Sequence, residues 1–252
     1  MTTDSDLTGR RVLITGGGSG LGADLARGFS AVGAAVVITG RRLQPLEAVA
    51  ESVARVEFLV GDVTDESTVV GWFEAAGPID IVIANDGAAD SAPIHRTTLE
   101  LWNEMLAVNL TGVFLTLRQG ARDLRGREWG RLLTIASTTG LAGYPYVAAY
   151  SAAKHGAVGL TRSIAKELAG SGITANALCP GYVDTEMTER TIANIVDKTG
   201  QDRESALSAL TSTNPQGRLI RPAEVTAAAL WLCATGSEGI TGQTIAIAGG
   251  EL

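Results

Sequence analysis

Tyr150 and Lys154, in the run Tyr150-Ser151-Ala152-Ala153-Lys154, stand four residues apart, so a helix would set a phenol and an ammonium on one face. A free phenol titrates near a pKa of about 10. A cation close by favours the phenolate and pulls that value toward neutrality, which makes the tyrosine a usable proton donor. The pair alone decides little, because a packed tyrosine and a solvated lysine share this spacing in many helices. Its chemistry depends on a scaffold that brings a second reactant to the same face.

The order of elements supplies such a scaffold. Short β-branched runs alternate with helical patterns: Arg11 to Thr15, Leu21 to Val32, Ala35 to Thr39, Leu43 to Ala54 and Val56 to Val60 form a βαβαβ half. A helix at Glu66 to Ala76, a strand at Ile79 to Ala84, one long helix at Leu99 to Leu124 and a strand at Arg131 to Ala136 continue the rhythm. It ends with a helix at Val147 to Ala169, a strand at Thr174 to Leu178, a helix at Ala223 to Cys233 and a strand at Thr244 to Ala248. Strands this apolar are covered on both faces. The expectation is a single α/β domain over residues 1–252: a Rossmann-type, doubly wound sheet of about seven mostly parallel strands, with its ligand crevice at their carboxyl ends. Residues 184–215 break the alternation with a long polar, helix-prone excursion, which reads either as a substrate lid or as a solvated pair of surface helices.

Composition bounds the function. With 252 residues, 45% of them hydrophobic, the chain can bury one large core, and a mean hydropathy of +0.18 argues against disorder. A net charge of -7 argues against nucleic acid or an anionic membrane as partner. Cys179 and Cys233 lack disulfide or metal-ligand spacing and read as small buried hydrophobes, so no metal is expected. Residues 1–9 are polar and no apolar run long enough to span a bilayer follows, so a cytoplasmic protein is expected.

A phosphate cradle follows the first strand directly, as Thr15-Gly16-Gly17-Gly18-Ser19-Gly20-Leu21-Gly22. Glycines at a strand-to-helix turn let backbone amides approach a diphosphate, and the helix N-terminus adds partial positive charge. No Gly-Lys-Ser/Thr ending is present, which disfavours nucleotide hydrolysis.

On these residues the chain resembles the short-chain dehydrogenase/reductase family, from about Arg10 to Leu252. Thr15, Gly16, Gly20 and Gly22 match its Thr-Gly-x-x-x-Gly-x-Gly motif, and Tyr150 with Lys154 its active-site pair. The resemblance implies Ser137 as catalytic serine and Asn109 as catalytic asparagine, although each alone fits a turn serine or a polar helix residue. It further implies cofactor contacts from Gly18, Ser19, Leu21, Asp62, Val63, Asn85, Gly87, Pro180, Gly181, Val183 and Thr185, besides Tyr150 and Lys154. The family usually has alanine between the asparagine and glycine of the fourth strand's end. This chain has Asp86, whose carboxylate is expected to point away from an anionic cofactor or to find a partner.

The implied activity is hydride transfer between a nicotinamide and a carbonyl or alcohol carbon, with Tyr150 as general acid, Ser137 donating to the oxygen, Lys154 lowering the tyrosine pKa and Asn109 holding a water. Gly40-Arg41-Arg42 carries two cations and no acid for the ribose hydroxyls, so NADP(H) is favoured over NAD(H), despite serine at position 19. Expected substrate contacts are Ser137, Leu141, Tyr144, Tyr150 and Met187. The resemblance is strongest to 3-oxoacyl-ACP and 3-oxoacyl-CoA reductases. A reductase of small cyclic or aryl ketones and a non-catalytic nucleotide-binding redox sensor are the alternatives, and a homotetramer built on the two long helices is implied.

Overall fold

The computed structural model describes residues 6–252. In chain order its elements are β1 (Arg11–Thr15), α1 (Gly20–Ala31), β2 (Ala35–Gly40), α2 (Leu43–Ser52), β3 (Val56–Val60), α3 (Glu66–Ala76) and β4 (Ile81–Ala84). Then follow α4 (Leu99–Leu106), α5 (Gly112–Asp123), β5 (Gly130–Ile135), α6 (Ala148–Leu168), β6 (Ile173–Pro180), α7 (Glu186–Thr199), α8 (Arg203–Thr211), α9 (Pro222–Cys233) and β7 (Thr244–Ile247). All seven strands form one parallel sheet in the order β3-β2-β1-β4-β5-β6-β7.

Both faces of that sheet are covered, which explains the unbroken apolar strands. Successive side chains on a strand point to opposite faces. Val12 and Ile14 of β1 therefore face Leu25 and Phe29 of α1 and Val225 and Leu232 of α9, whereas Leu13 between them joins Trp72, Val113, Leu117 and Ala157 beneath α3, α5 and α6. At β1 and β4, neighbours in the sheet, the chain winds away in opposite directions, and the loops there part to leave a crevice at the strands' carboxyl ends.

Two features depart from the sequence expectation. The helix expected over Leu99 to Leu124 is interrupted by a π-helical turn at Ala107–Thr111, which separates α4 from α5. The 184–215 excursion holds two helices, α7 and α8, that share a small apolar core of Ile192, Ala206 and Leu210 and an Arg203–Glu189 ion pair at 2.6 Å. A bridge between Val183 and Ile220 joins its two ends. Among the described residues no helix is long and apolar enough to cross a membrane.

Candidate active site

The turn after β1 is shaped by what glycine omits. A Cβ on Gly17 would clash with Ile38 of β2, and one on Gly22 would clash with the carbonyl of Gly16. Gly18 lies against Pro45 and Leu46 at 3.2–3.4 Å from where its Cβ would stand, and Leu21 packs partly against the α1/α9 core layer. No side chain caps α1 at Ser19, and no acid stands in its first turn. The first amides of α1 and its positive end are thus left for an anion, which fits the diphosphate of a dinucleotide. Beyond β2, Arg41 and Arg42 are exposed at the rim, and Arg42 Nη2 donates to Ser19 Oγ at 3.4 Å.

The ends of β3 and β4 support this turn more than they reach out from it. Asp62 Oδ1 accepts from Thr64 N at 2.9 Å and from Thr64 Oγ1 at 2.8 Å, so the carboxylate closes its own turn, while Val63 is buried against Gly112. Asn85 Nδ2 donates to Thr15 O at 2.8 Å and Gly16 O at 3.3 Å, fastening the glycine turn from below. Asp86 does not point away but finds partners in the cradle, where hydrogen bonds with the Thr15 side chain and the Gly16 backbone oppose the effect of its burial. Its amide donates to Thr15 Oγ1 at 3.0 Å, which turns its carboxylate toward the cradle, with Oδ1 3.0 Å from where a Gly16 Cβ would lie. Burial pushes its pKa up to about 6, although Arg41 pulls the other way.

Ser137 stands just beyond β5, where its Oγ accepts from Thr139 N at 3.2 Å and opens a 3₁₀ turn at Thr138–Gly140. Tyr150 lies in the first turn of α6, and Lys154 follows one turn later, buried, donating from Nζ to Ile135 O at 2.9 Å. The ammonium is 5.6 Å from the centre of the Tyr150 ring. Asn109 is buried inside the π-turn, with Nδ2 donating to Ala88 O at 2.9 Å and Met105 O at 3.0 Å. Gly87 separates it from the lysine: a Cβ there would be 3.3 Å from Asn109 Oδ1 and 3.8 Å from Lys154 Nζ.

Burial pushes the Tyr150 hydroxyl up to about 12, with the hydrogen bond to Ser137 opposing. Burial lowers Lys154 to about 8 against the pull of Cys179 and Asp86. In both groups desolvation disfavours the charged form.

Across the crevice, β6 ends at Pro180, and the Gly181–Thr185 segment swings over the glycine turn until Thr185 lies 3.3 Å from where a Gly20 Cβ would be. Val183 faces inward through its carbonyl, which accepts from Thr185 Oγ1 at 3.3 Å and Thr188 Oγ1 at 2.5 Å. Leu141 packs against the buried cluster of Ala136, Val158, Ala177 and Cys179, and Met187 is half-buried on α7. Tyr144 Oη donates to Glu251 Oε1 at 2.5 Å. Glu251, which the sequence reading did not single out, is thereby brought beside an expected site residue. Its signal is the Gly249-Gly250 pair, both at positive φ, which turns the tail back toward β6.

The family model for short chain dehydrogenases matches residues 10–195. The granaticin polyketide synthase putative ketoacyl reductase 1 of Streptomyces violaceoruber is 34% identical, over 94% of this chain and 91% of its own length. A D-beta-hydroxybutyrate dehydrogenase of Rhizobium meliloti is 32% identical, over 96% of this chain and 98% of its own. Among solved structures, an actinorhodin polyketide ketoreductase with NADPH superposes with a TM-score of 0.91 at 31% identity, covering 100% of this chain and 99% of that one. Sequence, fold and the gathering of Ser137, Tyr150 and Lys154 beside a glycine cradle therefore agree, and the chain belongs to the short-chain dehydrogenase family as an oxidoreductase of the kind that uses a nicotinamide cofactor.

Proposed function

We propose that the protein reduces the ketone of a 3-oxoacyl thioester, carried on ACP or CoA, to the 3-hydroxyacyl form, with NADP(H) as its preferred cofactor. The observation that carries this reading is the pairing of Ser137, just beyond β5, with Tyr150 in the first turn of α6, at the end of the sheet where α1 starts uncapped. When bound, the dinucleotide supplies the hydride that adds to the carbonyl carbon. Tyr150 Oη gives its proton to the carbonyl oxygen as that oxygen gains charge, acting as general acid. Because Ser137 Oγ uses a lone pair on Thr139 N, its own hydrogen is free to donate to the same oxygen and fix it. Lys154 then stabilises the tyrosinate and orients the nicotinamide ribose. Asn109 holds the Gly87–Ala88 segment on which the lysine rests.

Arg41 and Arg42 would meet a 2′-phosphate, and Gly40 leaves no acid at that strand end for the ribose hydroxyls. Thr15, Gly16, Gly18, Ser19, Gly20, Leu21 and Gly22 would cradle the diphosphate, with Asp62, Val63, Asn85 and Gly87 framing the adenosine side and Pro180, Gly181, Val183 and Thr185 the nicotinamide side. The α7–α8 excursion closes over the substrate as a lid between Leu141, Tyr144 and Met187. Four copies assemble through the outer faces of α4, α5 and α6.

Absorbance assays of NADPH and NADH oxidation with 3-oxoacyl thioesters and with small cyclic ketones test the reading. Thioesters with NADPH are expected to be turned over most efficiently. Tyr150→Phe should lower turnover by about 10²–10⁴, the usual contribution of a positioned general acid, while the dissociation constant for the dinucleotide stays within a few-fold. Substantial turnover in that variant would remove Tyr150 from the proton-donating role.

A further inference from the structure

The last turn of the chain brings an acid to the substrate side of the crevice. Gly249 and Gly250 have φ of +63° and +95°, a left-handed region open to glycine, and Glu251 N donates back to Ala248 O at 3.2 Å. A side chain on Gly249 would clash with Asn214 at the base of the excursion, and Gly250 faces Pro215 at 3.5 Å from where its Cβ would lie. The tail thus packs closely against Asn214 and Pro215. Its carboxylate lies over the end of β6, with Oε2 3.2 Å from where a Gly181 Cβ would stand, and holds the Tyr144 hydroxyl through Oε1 at 2.5 Å.

This carboxylate acts on the groups around the reacting centre. It helps push the Tyr144 hydroxyl up to about 12 and adds to the effect of burial on Tyr182, and Tyr182 in turn bears on Tyr150. Among the described residues Glu251 forms no ion pair. Glu251 therefore puts into the wall between Tyr144 and Tyr182 a carboxylate that no ion pair neutralises. A second negative charge brought within the roughly 8 Å over which salt fails to screen would be repelled.

We propose that Glu251 is a specificity-determining residue: held by Tyr144 over the end of β6, its carboxylate excludes substrates that bear an acid beside the ketone and selects carbonyl compounds uncharged there. This rests on the ketone-reducing reading above and sharpens it. A 3-oxoacyl thioester is neutral around its carbonyls and keeps the phosphate of its carrier at the far end of a long arm, so it passes this selection. A free 3-oxo acid does not. The selection works by an unfavourable contact with the wrong substrate, with no added contact to the right one.

Ethyl acetoacetate and acetoacetate form a probe pair that shares one ketone and differs in the carboxylate charge and the ethyl group that masks it. The wild-type enzyme is expected to favour the ester at least tenfold in kcat/KM. Glu251→Gln, which keeps the bond to Tyr144 and loses the charge, should narrow that preference about tenfold through the KM for acetoacetate, with the ester changed less than threefold. Glu251→Asp should retain most of it. Calorimetric binding of the same two compounds to the cofactor-loaded protein reads the ratio without turnover. A wild-type enzyme that reduces neither compound or thioester sinks the ketone-reducing reading, whereas an ester-to-acid binding ratio unmoved by Glu251→Gln overturns the role of Glu251.

Discussion

At the scale of single residues, Asp86 holds a charge that the fold answers with no ion pair among the described residues. Arg41 at the end of β2 and Asp62 beyond β3 bear on it with opposite signs, and Lys154 of α6 faces it across Gly87, yet burial dominates and places its pKa near 6. An unfolded aspartate titrates near 3.9. Between those values the folded chain binds more protons than the unfolded one, so stability falls as pH rises from about 4 to about 6, and the whole penalty is present at pH 7–8. One pKa unit corresponds to 1.36 kcal/mol, and discounting for water at this partly exposed side chain leaves about 2 kcal/mol. Asp86→Asn is therefore expected to raise the thermal midpoint by roughly 4–8 °C at pH 8 and to leave it unchanged at pH 4. A lower midpoint at pH 8 would mean that the carboxylate is a net stabiliser. The presence of an acid in Ala84-Asn85-Asp86-Gly87 was plain in the sequence. Its direction was not, because that depends on the Thr15 hydroxyl of β1, which accepts the amides of both Asn85 and Asp86 only after β1 and β4 have paired. The same holds for Glu251, whose partner Tyr144 is 107 residues away in the chain.

At the scale of elements, what local periodicity encodes was legible, and the interruption of α4 and α5 was not. Apolar spacing over Leu99 to Leu124 is that of one helix, since a π-turn adds a residue to one turn without changing the character of either flank. It forms around Asn109, whose amide donates to Met105 O and crosses to Ala88 O while its Oδ1 accepts from Ala88 N at 3.3 Å. A single side chain thus bonds within the helix and ties it to the segment beyond β4. Truncation would leave buried backbone groups unpaired, at a cost of about 1–3 kcal/mol. Asn109→Ala should lower the free energy of unfolding in urea by that amount and speed hydrogen exchange at the Ala88 amide. If stability falls while Ala88 stays protected, the tie to that segment is not what Asn109 contributes. The same contacts explain how a residue can matter to Lys154 without touching it: Gly87 leaves no side chain between them, and the loop holding Gly87 is the one that Asn109 secures.

At the scale of the whole molecule, an exposed glycine of α6 has no packing reason within a single chain. Gly159 lies in the middle of α6, exposed, with nothing within 4 Å of where its Cβ would be. Glycine at an exposed helix interior costs about 1 kcal/mol relative to alanine. Gly17 and Gly22 owe their identity to atoms packed against them, whereas around Gly159 the chain itself offers none. A second copy approaching closely along α6 would supply the missing reason, since small residues let helix backbones come together. The neighbouring surface suits it: Phe114 of α5 is 39% exposed, and Trp102, Val108, Leu110 and Leu160 are only partly covered. Light scattering at micromolar concentration is expected to give a mass near four times the 26.0 kDa of one chain. Gly159→Leu then separates two cases. Inside a lone subunit the new side chain meets open space and relieves the helix of its glycine, so the monomer should fold at least as well as before. Between two copies it has no room, so the mass should fall below that of four chains while the far-ultraviolet circular dichroism keeps its α/β form. A variant that remains tetrameric would show that α6 does not approach a second copy at this position, and the glycine would then be a cost that assembly does not explain.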